Sequence, residues 1–442
     1  MTENKNWNIK KLARIRDKAT EKYLEVIVFP TSESEVGKLK LPPSVVNEPR
    51  AFEKELRDAG AILPKGDQEV KDVLSAVAKS DAPEEPVYEA QTGWTEDGKA
   101  FVLVDGVIGD TTSKVIGVNR AHAVNDPSGR LSNSGGWKSW CDTVAEPARL
   151  STILMFGICV ALAAPLLAII KRPSFTINLF GRTRVGKSIA TLLGASVIGI
   201  ARIAQMLTWN ITNARLDERI SEFNDAIFPI DDLSNMEGGG KEKYQRIRDV
   251  AYRISQGLSI ARHSSFTIAH GGVHGSWRSI ALTSNEKSIR DLAADVKLER
   301  QHGEALRLID LPAVFDGLDH IFDRLPKRPH IGNFQDWRRD TFKKIADGCE
   351  KNHGKPFRKY VKALIADSAE LEEYVQAKIG YFVRHVCDEF DGDMALDVAD
   401  KFRADLRRGK TGHSVRAVAL GQARTARCAY QVLYWRTRPV AR

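Results

Sequence analysis

FTINLFGRTRVGKSI, residues 175–189, decides the fold. Phe175–Phe180 is a short, nearly continuous apolar run, as expected of a strand buried on both faces, and Ser188–Ile200 reads as a helix. Between them GRTRVGKS, Gly181–Ser188, matches G-x-x-x-x-G-K-[ST] in the strand–loop–helix setting that gives this pattern its meaning. Gly181 and Gly186 let the backbone turn so that its N–H groups converge on phosphate oxygens. The helix starting near Lys187 aims its positive end at the same anion. Lys187 reaches the β and γ phosphates, and the Ser188 hydroxyl is a ligand for Mg²⁺. Gly181, Arg182, Thr183, Arg184, Val185, Gly186, Lys187, Ser188 and Ile189 therefore form the expected nucleotide cradle, with ATP and Mg²⁺ as its expected ligands.

Further along, IFPIDDL (Ile227–Leu233) supplies an acidic pair at the end of a second strand, about 45 residues on. Asp231 is expected to hold the Mg²⁺ hydration shell. Asp232 stands where many such ATPases carry a Glu that polarises the attacking water. It is one methylene shorter than Glu, and Pro229 removes a ladder donor that a central strand needs. A surface Asp-Asp turn is the competing reading. RSIALTS (Arg278–Ser284) reads as a third strand, with Asn285 at its tip as γ-phosphate sensor and Ser284 in reserve. The bland reading there is an ordinary polar strand end.

Arg248, Arg253, Arg262 and Arg307 are candidates to complete a neighbouring subunit's site. Arg307, in ALRLIDLP, is the first choice as a finger. A helix-face contact or an intrachain ion pair is the alternative. His270 and His274 have the spacing of a metal-binding helix, but Gly271 and Gly272 between them oppose a helix. HGGVHG (His270–Gly275) reads instead as a hairpin tip, with His274 and Arg278 as nucleic-acid contacts.

Residues 1–86 read as an accessory region and linker: a strand at Leu24–Phe29, helices at Pro49–Ala59 and Glu69–Ala78, then SDAPEEP (Ser80–Pro86). Residues 87–136 read as a small β element with Asp-Gly turns at Asp97–Gly98 and Asp105–Gly106, followed by a polar surface loop from Asn119 to Gly136. Residues 137–312 alternate strands (Phe175–Phe180, Ala226–Ile230, Ser264–His270, Arg278–Ser284, Leu306–Leu311) with helices such as Glu242–Gln256. Such alternation implies a parallel sheet covered by helices. Residues 313–442 read as helical and basic. The expected class is α/β: a P-loop NTPase core of the AAA+/ASCE type, with a small β-containing N-terminal region and a helical C-terminal region.

Composition narrows the partners. The chain has 442 residues, 43% hydrophobic and 28% charged, which excludes wholesale disorder. Its net charge is +9, and Lys401–Arg442 alone holds eleven Lys/Arg against Asp405. That run is a solvated face or a phosphate-contacting surface. Five scattered cysteines, none in a C-x-x-C pair, argue against a disulfide framework or zinc ribbon and fit a reducing cytoplasm. Ser151–Ile170 is about long enough to span a bilayer, but Thr152, Cys159, Pro165 and the P-loop close behind favour a buried helix. No membrane partner is expected.

GWTEDGKAFVLVDGVIG (Gly93–Gly109), APLL (Ala164–Leu167), GRTRVGKS, the Asp231–Asp232 pair, SQGLSIAR (Ser255–Arg262), LTSNE (Leu282–Glu286) and LRLIDLPA (Leu306–Ala313) occur in one order. In this the chain resembles, over roughly residues 45–430, the bacterial domain of unknown function 927 family, the predicted ATPase domain of Cch-like helicases. The resemblance implies association with plasmids, phages and other mobile elements. It also implies kinship with the minichromosome-maintenance branch of AAA+ helicases, which act as hexameric rings. It carries nucleotide and Mg²⁺ roles to Lys187, Ser188 and Asp231, supports Asn285 as sensor, and matches Arg307 to the finger position. The family more often has Asp-Glu where this chain has Asp231–Asp232. The expectation is an ATP-driven helicase or translocase on single-stranded or forked DNA, self-associating into a ring, with a separate primase or loader. A nucleotide-switched DNA-binding initiator and a small-molecule phosphotransferase are the alternatives.

Overall fold

The computed structural model describes residues 7–16, 23–31, 36–81, 92–95, 97–103, 106–109, 131–231, 233, 236, 238–258, 276–315, 317–325, 333–367 and 371–377. These divide into two compact units, one within residues 1–127 and one within residues 128–442.

In the first unit, β2 (Tyr23–Pro30) is the middle of an antiparallel sheet, between β1 (Lys10–Arg16) and β3 (Val36–Leu41). The sequence reading found only β2. The edge strands KKLARIR and VGKLKL carry the charges that protect a sheet edge, and those charges hide the strand pattern. Helices α1 (Pro43–Val46), α2 (Pro49–Asp58) and α3 (Asp67–Lys79) follow. Glu48 caps α2 by accepting from Ala51 N at 2.6 Å, and Pro49 opens it. Ile27, Phe29, Phe52, Leu56, Val70 and Leu74 form the shared core. Lys11 Nζ lies 3.1 Å from Glu25 Oε2 and donates to the Ala78 carbonyl at 2.8 Å, which ties the end of α3 to the sheet. A second sheet consists of β4 (Gly93–Trp94), β5 (Ala100–Leu103) and β6 (Gly106–Gly109), paired antiparallel. At the Asp97–Gly98 turn, the Thr95 hydroxyl and Lys99 N–H both donate to Asp97 and hold its carboxyl below the usual range.

The second unit begins with α4 (Trp137–Trp140), which runs through a π-helical turn at Cys141–Ala145 into α5 (Glu146–Ala148). Next come α6 (Thr152–Ala163) and α7 (Leu166–Ile169), on either side of Pro165. The core then alternates β7 (Phe175–Phe180), α8 (Lys187–Ile198), β8 (Leu207–Thr208), α9 (Asn213–Ser221), β9 (Ala226–Asp231), α10 (Gly240–Gln256), β10 (Ser279–Asn285), α11 (Ile289–Asp295), α12 (His302–Arg307) and β11 (Leu308–Pro312). Its sheet is parallel, in the order β11-β7-β10-β9-β8. The expected α/β P-loop class is observed, and β10 lies between the P-loop strand and the acidic strand.

One local reading changes. Pro229 does lie inside β9, paired with Leu282 on β10. The neighbour on the other side, β8, reaches only Ile230 and Asp231, so beside Pro229 that flank of β9 is an edge, where proline is tolerated. The end of the expected polar loop, Leu131–Gly136, is exposed from Ser132 onward but anchored to the core at both ends. Leu131 is buried, Ser132 N donates to Gly199 O at 3.0 Å, and Ser134 N donates to His353 O at 3.0 Å.

The apolar segment before the P-loop is buried, as expected. Gly157 of α6 meets α8 so closely that a Cβ there would lie 2.0 Å from the Ala190 carbonyl oxygen. Among the described residues, no helix is long and apolar enough to cross a membrane. Burial pushes the Cys159 and Cys349 thiols up to about 12, which makes both poor nucleophiles. Helices α13 (Phe334–Lys351) and α14 (Lys355–Ala366) belong to this unit. Gly354 N, at their junction, donates to Ser196 O of α8 at 2.8 Å. The strand expected at Ser264–His270, the HGGVHG segment and the basic run Lys401–Arg442 lie outside the described residues.

Candidate functional site

The P-loop leaves the C-terminal end of β7 and delivers the chain into α8. Gly186 sits at the N-cap of α8 with φ +119°, a left-handed conformation that side chains rarely adopt. A Cβ there would also lie 2.7 Å from Phe342 Cζ and 3.2 Å from Ile321 Cγ2, so α13 packs directly behind the loop. No side chain caps α8, which keeps its first N–H groups available to an anion. Arg182, Thr183 and Arg184 are exposed, Val185 and Gly186 are buried, and Gly181, Ser188 and Ile189 are half-buried.

Lys187 is more enclosed than a phosphate-contacting lysine is expected to be. It is buried, and its ammonium donates to the carbonyls of Gly181 at 2.7 Å and Arg182 at 2.9 Å. The charge is thus held inside the loop by the loop's own oxygens, at the place an anion would occupy.

The strand order sets the other candidates beside this loop. Gly181 N donates to Asn285 O at 3.2 Å, which joins the start of the loop to the tip of β10. Asn285 is buried, and its Nδ2 donates to Lys287 O at 2.9 Å. The reserve candidate Ser284 is buried, and its hydroxyl has no hydrogen-bond partner among the described residues. Thr283 accepts from Trp209 Nε1 at 2.8 Å and is structural. Asp231 is the last residue of β9, half-buried, two strands from β7 and about 10 Å across the sheet. Asp232 lies outside the described residues.

The arginines separate clearly. Arg253 is buried and makes a two-pronged ion pair with Asp217, so it is a structural residue and not a finger. Arg248 lies 3.6 Å from Glu304. Arg278 immediately precedes β10 and lies 3.8 Å from Asp225, and Arg262 lies outside the described residues. Arg307 ends α12 immediately before β11. Its guanidinium stacks 4.6 Å from the Tyr252 ring centroid and donates to Gly303 O at 2.7 Å. Leu308 pairs with Thr176 near the start of β7. Arg307 is therefore at the end of the sheet away from its own P-loop, about 16 Å along the strands.

Two residues near the site had no role in the sequence reading. Asp310 stands opposite Asn178 in register and accepts from Asn178 Nδ2 at 2.8 Å, Ile289 N at 3.0 Å and Arg300 Nη1 at 2.7 Å. Burial pushes its carboxyl above the usual range, with Arg300 pulling the other way. These bonds hold the N-terminus of α11 and, through it, the corner that follows Asn285. An acid inside the apolar run LIDL was the available signal. The second is Glu286, whose carboxylate accepts from the Thr183 hydroxyl of the P-loop.

The family model described as domain of unknown function (DUF927) matches residues 8–268. No curated protein matches the sequence. Among solved structures, one described as "SCCmec type IV Cch - active helicase" is similar with a TM-score of 0.62 and 16% identity, covering 97% of this chain and 72% of that one. Another, "The A form apo structure of NrS-1 C terminal region-CTR", reaches a TM-score of 0.30 at 10% identity over 93% of this chain and 87% of that one, too distant to carry an argument.

Proposed function

We propose that this chain, which belongs to the domain of unknown function 927 family, is an ATP-hydrolysing motor that moves along or unwinds DNA in the replication of a mobile element. The observation that carries the reading is the order of groups along one edge of the parallel sheet. The P-loop on β7, Asn285 on β10 and Asp231 on β9 stand side by side. Phosphoryl transfer needs an anion cradle, a polar group at the γ-phosphate and a carboxylate for the metal, and little other covalent chemistry.

In this reading the α8 N-terminus and the loop N–H groups bind the phosphates. Lys187 gives up its carbonyl partners for the β and γ oxygens. Ser188 and Asp231 are the residues that would hold Mg²⁺, Asp231 through water given its distance across the sheet. When bound, Mg²⁺ neutralises charge on the phosphates. Asp232 orients the attacking water. Arg307 serves the neighbouring subunit, because its place at the far end of β11 denies it its own nucleotide. A closed head-to-tail ring, expected to be a hexamer, supplies that neighbour. The basic run Lys401–Arg442 is the expected DNA contact, and a separate chain would prime or load.

The test is ATP hydrolysis with and without single-stranded DNA, in wild type and in Lys187→Ala. The reading expects hydrolysis stimulated by DNA and abolished by the substitution. Hydrolysis at the wild-type rate in Lys187→Ala overturns the P-loop assignment. Tight ATP-dependent DNA binding with no DNA-stimulated turnover favours the second reading, a nucleotide-switched initiator, whose support is the shorter Asp at position 232.

A further inference from the structure

We infer that Glu286 is a second carboxylate of the hydrolytic site, one that accepts a proton from the attacking water. The inference rests on the nucleotide reading above and adds a residue to it. Glu286 is the first residue beyond β10, the strand between the P-loop strand and the acidic strand. Its position is fixed from two sides. The backbone carbonyl of Asn285 accepts from Gly181 N, and the Glu286 side chain accepts from the Thr183 hydroxyl of the same loop. Among the described residues no lysine or arginine forms an ion pair with it, so the contact with the P-loop is not a by-product of a surface salt bridge. Asn285 beside it is buried while Glu286 is exposed, so the same corner offers a fixed amide and an accessible carboxylate.

The chemistry at position 232 leaves room for such a group. An Asp there has one methylene less reach than the Glu that usually orients water. Glu286 supplies the full length from the adjacent strand tip. In the proposed step a water oxygen attacks Pγ, Glu286 takes one of its protons, and the bond from Pγ to the β–γ bridging oxygen breaks. ADP leaves with that electron pair, and the added oxygen ends on inorganic phosphate. Thr183 holds the carboxylate at the loop until nucleotide arrives.

The experiment compares wild type, Glu286→Gln and Glu286→Asp in the full chain. A fluorescent ATP analogue reports binding, and single-turnover hydrolysis reports the chemical step. The inference expects Glu286→Gln to bind nucleotide like wild type while its hydrolysis rate falls about 10²-fold or more, the scale of general-base catalysis. It also expects Glu286→Asp to hydrolyse at an intermediate rate. Hydrolysis by Glu286→Gln within about threefold of wild type, far below that scale, overturns it. So does parallel loss of binding and hydrolysis, which would make Glu286 only a clasp on Thr183. Wild-type protein that binds no ATP fails the nucleotide reading itself, a result seen before any Glu286 variant is compared.

Discussion

Replacing Gly157 with alanine tests how the apolar segment before the P-loop is used. The new Cβ would stand 2.0 Å from the Ala190 carbonyl oxygen, and ordinary contact begins near 3.4 Å. Helices α6 and α8 must therefore separate by about 1.4 Å at their crossing. The obstacle is backbone, which cannot swing aside as a side chain does. Overpacking of this kind costs about 1–3 kcal/mol and occasionally more, and this geometry belongs at the upper end. Alanine regains about 1 kcal/mol of helix propensity. The net loss is about 2 kcal/mol, a fall in Tm of about 4–8 °C for a unit of this size. Thermal unfolding followed by circular dichroism measures it. Gly136→Ala is the control, because a Cβ there meets nothing within 4 Å. Because α8 carries the P-loop, ATP affinity should fall along with Tm. An unchanged or raised Tm for Gly157→Ala would refute the packing argument.

Three further outcomes follow from the same geometry. Lys187→Ala and Arg307→Ala proteins, each inactive alone, should recover some ATP hydrolysis when mixed, because a finger is worth about 10³ to 10⁵ in rate; recovery at no mixing ratio would place Arg307 outside the mechanism. Asp232→Glu should keep or raise the hydrolysis rate and Asp232→Asn should lower it, whereas equal rates in all three proteins would remove Asp232 from the reaction. Reversing Arg407 and Arg408 to Glu should weaken DNA binding and flatten its salt dependence by about 0.7 to 0.9 of a log unit per lost phosphate contact; an unchanged slope in a salt titration would make that run a solvated surface.

The P-loop was legible because phosphate chemistry fixes residue types at fixed spacing, and the alternation around it announced a parallel sheet. The order of strands was not legible. Nothing in RSIALTS says that it inserts between FTINLF and IFPID; that follows from pairings such as Thr283 with Asn178 and Leu282 with Pro229. The β8 strand, two residues long, leaves no periodicity to read. The edge strands β1 and β3 were masked by their own charges. The enclosure of Lys187 was not legible either: the loop carbonyls of Gly181 and Arg182 surround its ammonium, a contact set by tertiary closure of the loop. Arg253 and Arg307 look alike in sequence. Only the fold shows that one is locked on Asp217 and the other placed at the opposite end of the sheet from its own P-loop.

Strand displacement from a forked DNA duplex tests the motor claim most directly. With ATP, the wild-type chain should release the labelled strand, while Lys187→Ala, and wild type given a non-hydrolysable ATP analogue, should leave the fork intact. Contradiction would come from wild-type protein that binds the fork and hydrolyses ATP yet releases no strand, or from equal release with and without hydrolysis.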